Sequence, residues 1–458
     1  MPAPKAEVVD VELDAEFDRA FEMLNGLVDL TQADQLCPIR SNAVYTTSVV
    51  LWMLVYQRMS PDSSLEAAVK KLVKSQPSLL SKNKRIVEKT LSTDTGGYSK
   101  ARSRMPQTAA RWFAEQVSQS LIDASPPTFE QQRVFTLDGT TITLAPEGAL
   151  QSAFPPASNQ YGEGVWPVAL LVVAHELASG AAMLPEVGAM YGKDAVSETS
   201  LIVKSLAAMP PGSLVMADAG FGIFAVANEI SIARHSFVLR MTKQRFASLR
   251  KRAVLIDSGA RHKTWSHTWQ PTAKERKNHP SLAADASLNV RLHEIVINEH
   301  LVLHLVTDQV FGAEAFAALY ERRGDVEIDI RNLKVILNTE GIRARSVDMF
   351  YKELYASIVS YNLVTQFRRQ AAALINQPPR RMSFKRTWTT FREFLLSEMH
   401  TEPKNWRDQY RIALEYATKD KLPNRPGRRY EREAYPKRPK SNQFKKRKRK
   451  TSLPEEQI

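Results

Sequence analysis

One cysteine in 458 residues leaves nothing for an internal disulfide to join. That excludes the small cross-linked secreted scaffolds and fits a reducing compartment. Cys37, the one thiol, is expected as a small buried apolar residue. Long apolar runs are also missing: TTSVVLWMLVY (46–56) and VALLVVAH (168–175) are too short to span a bilayer as helices. The opening residues MPAPKAEVVDVELDAEF are acidic and have no apolar centre, so no secretory leader is expected. No segment repeats. A soluble, intracellular protein with no membrane partner is the expectation.

What is present is enough chain for two or three domains, each with its own core. The net charge of +14 is unevenly placed. Residues 421–450 hold 14 Lys and Arg against Glu431 and Glu433, so +12 of that charge resides there. Interleaved with Pro423, Pro426, Pro436 and Pro439, such a block cannot build a core of its own. It is suited to a polyanion, above all nucleic acid.

Residues 1–125 are expected to be mostly helical. SNAVYTTSVVLWMLVYQ and SSLEAAVKKLV carry helical periodicity, the second with Ser63 or Ser64 as cap. GGYSKARSRMP (96–106) presents Lys100, Arg102 and Arg104 near a helix start, a pattern that suits DNA binding or a plain helical support. From 133 the pattern changes: RVFTLD and TTITL are β-branched runs separated by Gly139, a hairpin signal. VWPVALLVVAHE suits a central strand, a helix is expected from Glu198 to about Met209, and GSLVMADAGF is a strand ending in Asp218. That alternation points to a mixed α/β sheet. Five short alternating strands follow over 235–308, as a β-rich insertion, then a helix over 314–337 and a long one over 346–375.

LYERRGDVEIDIRNLK (319–334) puts charge where an amphipathic helix would show an apolar stripe. On a continuous helix Tyr320, Arg323, Glu327, Arg331 and Lys334 fall within an arc of about 80°. Three cations and a phenol then surround one carboxylate, a face suited to an anion or to a metal with an anion. Asp138 and Asp218 lie at or near expected strand ends. Three carboxylates from separate elements can converge on hard cations, because Mg²⁺ takes oxygen ligands and keeps several waters. Any one of the 49 Asp and Glu is more often surface solvation than ligand, so the set carries the weight. Trp265, in the insertion beside Lys263 and His267, could stack on a base displaced from a bent duplex. The plainer reading is that Trp265 and Trp269 fill a small β core.

These residues carry a resemblance. Tyr320-(2)-Arg323-(3)-Glu327-(6)-Lys334 resembles, without a gap, the signature of DDE transposases of the bacterial insertion-sequence-four type. LDGTTITL around Asp138 and MADAGF around Asp218 look like that family's two Asp strands. The β-rich insertion, YSKAR, YNLVTQF and the basic tail are also placed as the family places them. One departure is Gly324, where the family usually has Trp; glycine within a helix costs ~1 kcal/mol against alanine.

The resemblance implies an α/β fold with an RNase H-like mixed sheet core. That core, 130–234 and 309–345, would be interrupted by the β-rich insertion at 235–308. A helical N-terminal DNA-binding domain (1–125), a helical C-terminal region (346–420) and a basic disordered tail (421–458) would complete it. Asp138, Asp218 and Glu327 would be the catalytic residues and the ligands of two Mg²⁺ ions, with Mn²⁺ able to substitute. Tyr320, Arg323, Arg331, Lys334, Lys100, Arg102, Arg104 and Trp265 would contact DNA. The implied partner is double-stranded DNA, as transposon-end inverted repeats and as target, bound by a homodimer in a synaptic complex. The implied place is the bacterial cytoplasm, at the nucleoid when DNA-bound. Implied too is cut-and-paste transposition by 3′-end hydrolysis, a hairpin intermediate and strand transfer. The competing readings are a transposase-derived DNA-binding protein without chemistry and another RNase H-like nuclease such as a resolvase.

Overall fold

The computed structural model describes residues 28–38, 43–75, 84–160, 162–336, 341–398 and 406–423. The basic tail from 424 on, and the first part of the expected N-terminal region, lie outside the described residues. Helices open the chain: α1 (Thr31–Leu36), α2 (Thr47–Met59), α3 (Leu65–Ser75), α4 (Lys84–Val87), α5 (Gly96–Arg104) and α6 (Gln107–Asp123). The Thr46 hydroxyl accepts from the Val49 N–H, and the Ser64 hydroxyl from the Ala67 N–H. Each cap satisfies a donor that the first helical turn leaves orphaned. Cys37 follows α1 half-buried rather than inside the core. Its place is fixed by its backbone, whose carbonyl accepts from Thr47 Oγ1.

The sheet begins with β1 (Val134–Thr143), then α7 (Gly148–Ala153), β2 (Pro156–Asn159), β3 (Gly162–Glu176) and β4 (Glu186–Ala189). Next come α8 (Glu198–Ala208), β5 (Leu214–Ala217), α9 (Phe224–Ile232) and β6 (Ser236–Arg240). The hairpin expected at Asp138–Gly139 is not formed. β1 runs straight through both residues, antiparallel to β3 from Phe135 opposite Glu176 to Thr143 opposite Val168. β5 adds parallel to β1, and β6 parallel to β5.

After α10 (Lys243–Arg250) come β7 (Val254–Ser258), β8 (His262–Trp269), α11 (Ala273–Asn278), β9 (Leu288–Asn298) and β10 (Leu301–Thr307). The alternating strands expected over 235–308 are therefore present, and they continue the same sheet. β10 pairs antiparallel with β6, and the described strands form one ten-stranded mixed sheet in the order β2-β3-β1-β5-β6-β10-β9-β8-β7, with β4 against β3.

Alternation separates the two faces of this sheet. Phe135, Leu137, Val215, Ala217, Phe237 and Leu239 share one core with the N-terminal helices. Val134, Leu214, Met216, Val238 and Leu305 point the other way, where α12 (Ala313–Glu321) covers them with Phe316, Leu319 and Tyr320. A 3₁₀ turn (Arg322–Gly324), α13 (Asp325–Arg331) and a π turn (Asn332–Ile336) come next. Then follow α14 (Val347–Leu374), a 3₁₀ turn (Pro379–Arg381), α15 (Phe384–Glu398) and α16 (Trp406–Ala417). α14 is buried along most of its length, as a helix apolar nearly all round must be. Its Asn362 ties helices to sheet: Oδ1 accepts from the Ala182 N–H, and Nδ2 donates to Ala182 O and Ser118 Oγ. Among the described residues no helix is long and apolar enough to cross a membrane.

Candidate active site

The alternation that sorts the core also aims two carboxylates. Val134, Thr136 and Asp138 share one face of β1; Leu214, Met216 and the following Asp218 continue one face of β5. Thr136 pairs with Met216, so the next step of that register brings Asp138 level with Asp218. Both stand on the face that α12 covers. Asp138 thus sits inside β1 rather than at a strand end, while β5 stops one residue before Asp218. The Asp218 carboxylate accepts from the Gly220 N–H at 2.8 Å, a local turn bond. Arg245 Nη1 fastens the same loop by donating to Ala219 O at 2.8 Å.

The third carboxylate arrives on a broken helix. The continuous helix expected over 319–334 is interrupted by the 3₁₀ turn at Arg322–Gly324 and ends in the π turn. Both change the angular step per residue, so the five signature residues do not share one arc. Tyr320 is buried, and its hydroxyl donates to Ala217 O at 3.3 Å. It secures the strand end that carries Asp218 and does not meet solvent, contrary to the DNA contact expected of it. Arg331 is exposed and lines a separate cleft of about 680 Å³ with Asp325, Asp329, Arg380, Trp388 and Arg392. Lys334 is half-buried in the π turn. Gly324 lies at φ −60°, and a Cβ built on it meets nothing within 4 Å. The missing tryptophan leaves open space there.

Arg323 and Glu327 remain together. Arg323 Nη1 donates to Glu327 Oε1 at 2.7 Å. Nη2 of the same guanidinium lies 3.1 Å from Asp138 Oδ2 and 3.8 Å from Asp218 Oδ2. One cation therefore bridges three carboxylates delivered by β1, the end of β5 and α13.

The opposite side of α13 is anchored. Asp325 and Asp329 stand one helical turn apart and offset from Glu327. Arg380, on the 3₁₀ turn after α14, reaches both: Nη2 is 2.8 Å from Asp329 Oδ2, and Nε is 3.5 Å from Asp325 Oδ2. Arg380 Nε also donates to Leu177 O at 2.7 Å, which links the turn to the residue after β3.

Burial raises the Asp138 carboxyl above its ordinary range; the Asp218 and Glu327 charges add to this, and Arg323 and the Gly139 N–H oppose it. Glu198, the first residue of α8, is raised by burial and by the charges of Asp138 and Asp218. It is a member of the site that the sequence reading missed. The donors are all hard oxygens, the set that an ion of the Mg²⁺ class takes. Among the described residues no three acidic, histidine or cysteine side chains stand close enough to share an ion as arranged. The Arg323 guanidinium holds that centre, and the donor chemistry fits a divalent cation in its place.

The family model of the transposase DDE domain matches residues 130–363, a span that includes all three carboxylates. The chain belongs to the DDE transposases. No curated protein sequence matches it. A piggyBac transposase synaptic complex with hairpin DNA, solved by electron cryo-microscopy, is 12% identical over 91% of this chain and 86% of that one, with a TM-score of 0.37. At that score the likeness carries no argument.

Other transposase residues expected at DNA are placed as follows. Lys100 and Arg104 are exposed on α5, but Arg102 is turned inward, its Nη2 2.8 Å from Glu353 Oε1 on α14. That pair joins α5 to the central helix, so Arg102 acts inside the protein. Trp265 is 8% exposed, edge-on to Phe246 with ring centres 5.9 Å apart, and the Arg250 guanidinium lies 5.6 Å over its ring. With its face so covered it offers no stacking platform to a base. Trp269 is buried against Phe224, as two residues i and i+4 on one strand face require.

Proposed function

We propose that this DDE transposase is of the bacterial insertion-sequence-four type and carries out Mg²⁺-dependent cut-and-paste transposition on an RNase H-like core. The observation that carries the reading is the Arg323 junction, where one guanidinium bridges Asp138, Asp218 and Glu327. The strand order β4-β3-β1-β5-β6, antiparallel at first and parallel at the end, supports the core assignment. The intact set of three carboxylates speaks against a derived binding protein without chemistry.

Asp138, Asp218 and Glu327 would hold two Mg²⁺ ions, with Mn²⁺ able to substitute. Bound there, the ions would activate a water or 3′-hydroxyl and stabilise the leaving oxygen. The protein's own groups do the rest. Tyr320 keeps the end of β5, and with it Asp218, in register with Asp138. Arg323, freed as divalent charge enters, turns its planar fork to a backbone phosphate, which a guanidinium holds in a fixed orientation. The basic segment 421–458 adds sequence-independent phosphate contacts on double-stranded DNA. Hydrolysis frees a transposon 3′-hydroxyl, attack on the opposite strand makes a hairpin, and strand transfer follows, with two protomers joining the two ends.

Asp138→Asn and Asp218→Asn keep shape and remove charge. Mg²⁺-dependent nicking of a duplex carrying the element's ends should fall by roughly three orders of magnitude or more in each, and combining them should add little. Gel-shift binding of the same duplex should persist. Nicking at the wild-type rate in either variant would overturn the reading.

A further inference from the structure

We propose that Glu198 is a fourth carboxylate of the cation site, seated over a notch made by Gly139; the inference rests on the metal reading above. α8 starts rigidly. The Ser197 hydroxyl accepts from the Ser200 N–H at 3.2 Å, and the Ser197 N–H donates to the Ser200 hydroxyl at 3.1 Å. That cap fixes Glu198 at the first helical position, where the helix dipole favours an anion.

From there the side chain crosses β1 at Gly139. A Cβ built on Gly139 would come within 2.7 Å of Glu198 Cγ and closer still to its carboxylate. No other residue type leaves room for the glutamate as it lies. A glycine inside a strand weakens it, and close approach by another group is the usual reason one is kept. Here the approaching group is a carboxylate, and the residue before the notch is Asp138.

The surroundings of Glu198 are one-sided. No hydrogen bond or ion pair reaches its carboxylate from the described residues; its charged neighbours are Asp138 and Asp218. The other three carboxylates have Arg323 between them. Four carboxylates against one guanidinium leave a formal charge of −3 at this point of the surface. Like charges held at short range are costly unless a cation joins them. A hard divalent ion with oxygen ligands answers that arrangement, and Glu198 supplies an oxygen from the side of α8 that none of the three signature carboxylates covers.

The test reads Mn²⁺ binding by the full chain without DNA, from the loss of the free-ion paramagnetic resonance signal. Glu198→Gln, which preserves shape, should weaken Mn²⁺ binding about 10–100-fold with an unchanged melting temperature. Gly139→Ala should do the same, because its methyl drives the flexible glutamate end out of the notch. In a Glu198→Ala background, Gly139→Ala should then change Mn²⁺ binding by less than about 2-fold, since both act through one contact. If Gly139→Ala does not fold, Glu198→Gln decides alone. Wild-type Mn²⁺ affinity in Glu198→Gln, with affinity lost in Asp138→Asn, overturns this inference and leaves the metal reading standing. A wild-type chain that binds no Mn²⁺, or an Asp138→Asn chain that binds it normally, overturns both.

Discussion

The two sides of α13 use the same chemistry for opposite ends. On one side Glu327 joins Asp138 and Asp218 around Arg323; on the other Asp325 and Asp329 meet Arg380. Burial separates them. The Glu327 side chain is 53% exposed and that of Asp329 is 1% exposed. An ion pair sealed from water cannot exchange its cation without leaving a buried charge, which is costly. A pair at the surface can exchange freely and adds little stability while it lasts. The rear cluster therefore holds the helix, and the front cluster is open to a different cation.

If that contrast is right, removing the rear cation should have the largest effect on stability. Arg380→Ala leaves Asp329 buried and unpaired and should destabilise the chain by about 3–5 kcal/mol, read from urea unfolding. A loss below about 1 kcal/mol would mean the rear pair is no anchor and would erase the contrast.

A smaller effect sharpens the front side. Burial, with Asp218 and Glu327 behind it, raises the Asp138 carboxyl above the ordinary 3.8. Between 3.8 and the raised folded value the folded chain holds more protons than the unfolded chain. Metal-free stability therefore falls as pH rises through that window and recovers as pH falls through it. Asp138→Asn has no proton to lose there. In EDTA its melting temperature relative to wild type should be higher at pH 7 than at pH 4. A pH-independent difference would contradict the crowding of carboxylates at this face.

The smallest effect lies between the two sides, at Gly324. Its backbone is already helical, and a Cβ would enter open space. Gly324→Ala should therefore stabilise by about 0.4–1 kcal/mol, through a less free unfolded chain. Destabilisation in urea melts would show that the turn joining α12 to α13 needs glycine.

How far the sequence anticipates this depends on the range of the contacts involved. Asp138 and Asp218 were legible because strand alternation is local, and Arg323 with Glu327 because residues four apart meet on any helical turn. The break at Arg322–Gly324 was not, since packing of α12 on the sheet and of α13 on Arg380 decides it. Tyr320 was placed outside on helical arithmetic and lies inside because the even face of the sheet needs cover. Arg102 reads as a surface cation until Glu353 of α14 is beside it. Gly139 reads as a turn, and only the crossing of α8 over β1 shows what the missing side chain makes room for. Glu198 was visible as a helix start, with nothing in its neighbours to mark it as a member of the site.

The most direct measurement sets two acid-to-amide changes on neighbouring positions of α13 side by side. Glu327→Gln and Asp329→Asn would each be assayed for Mg²⁺-dependent nicking of an end-containing duplex, below the melting temperature of both. The account predicts that Glu327→Gln melts like wild type and loses cleavage by roughly three orders of magnitude or more. Asp329→Asn should melt lower and cleave within a few-fold of wild type. Normal cleavage by Glu327→Gln would contradict the account, for the front of α13 would then be only a solvated helix face.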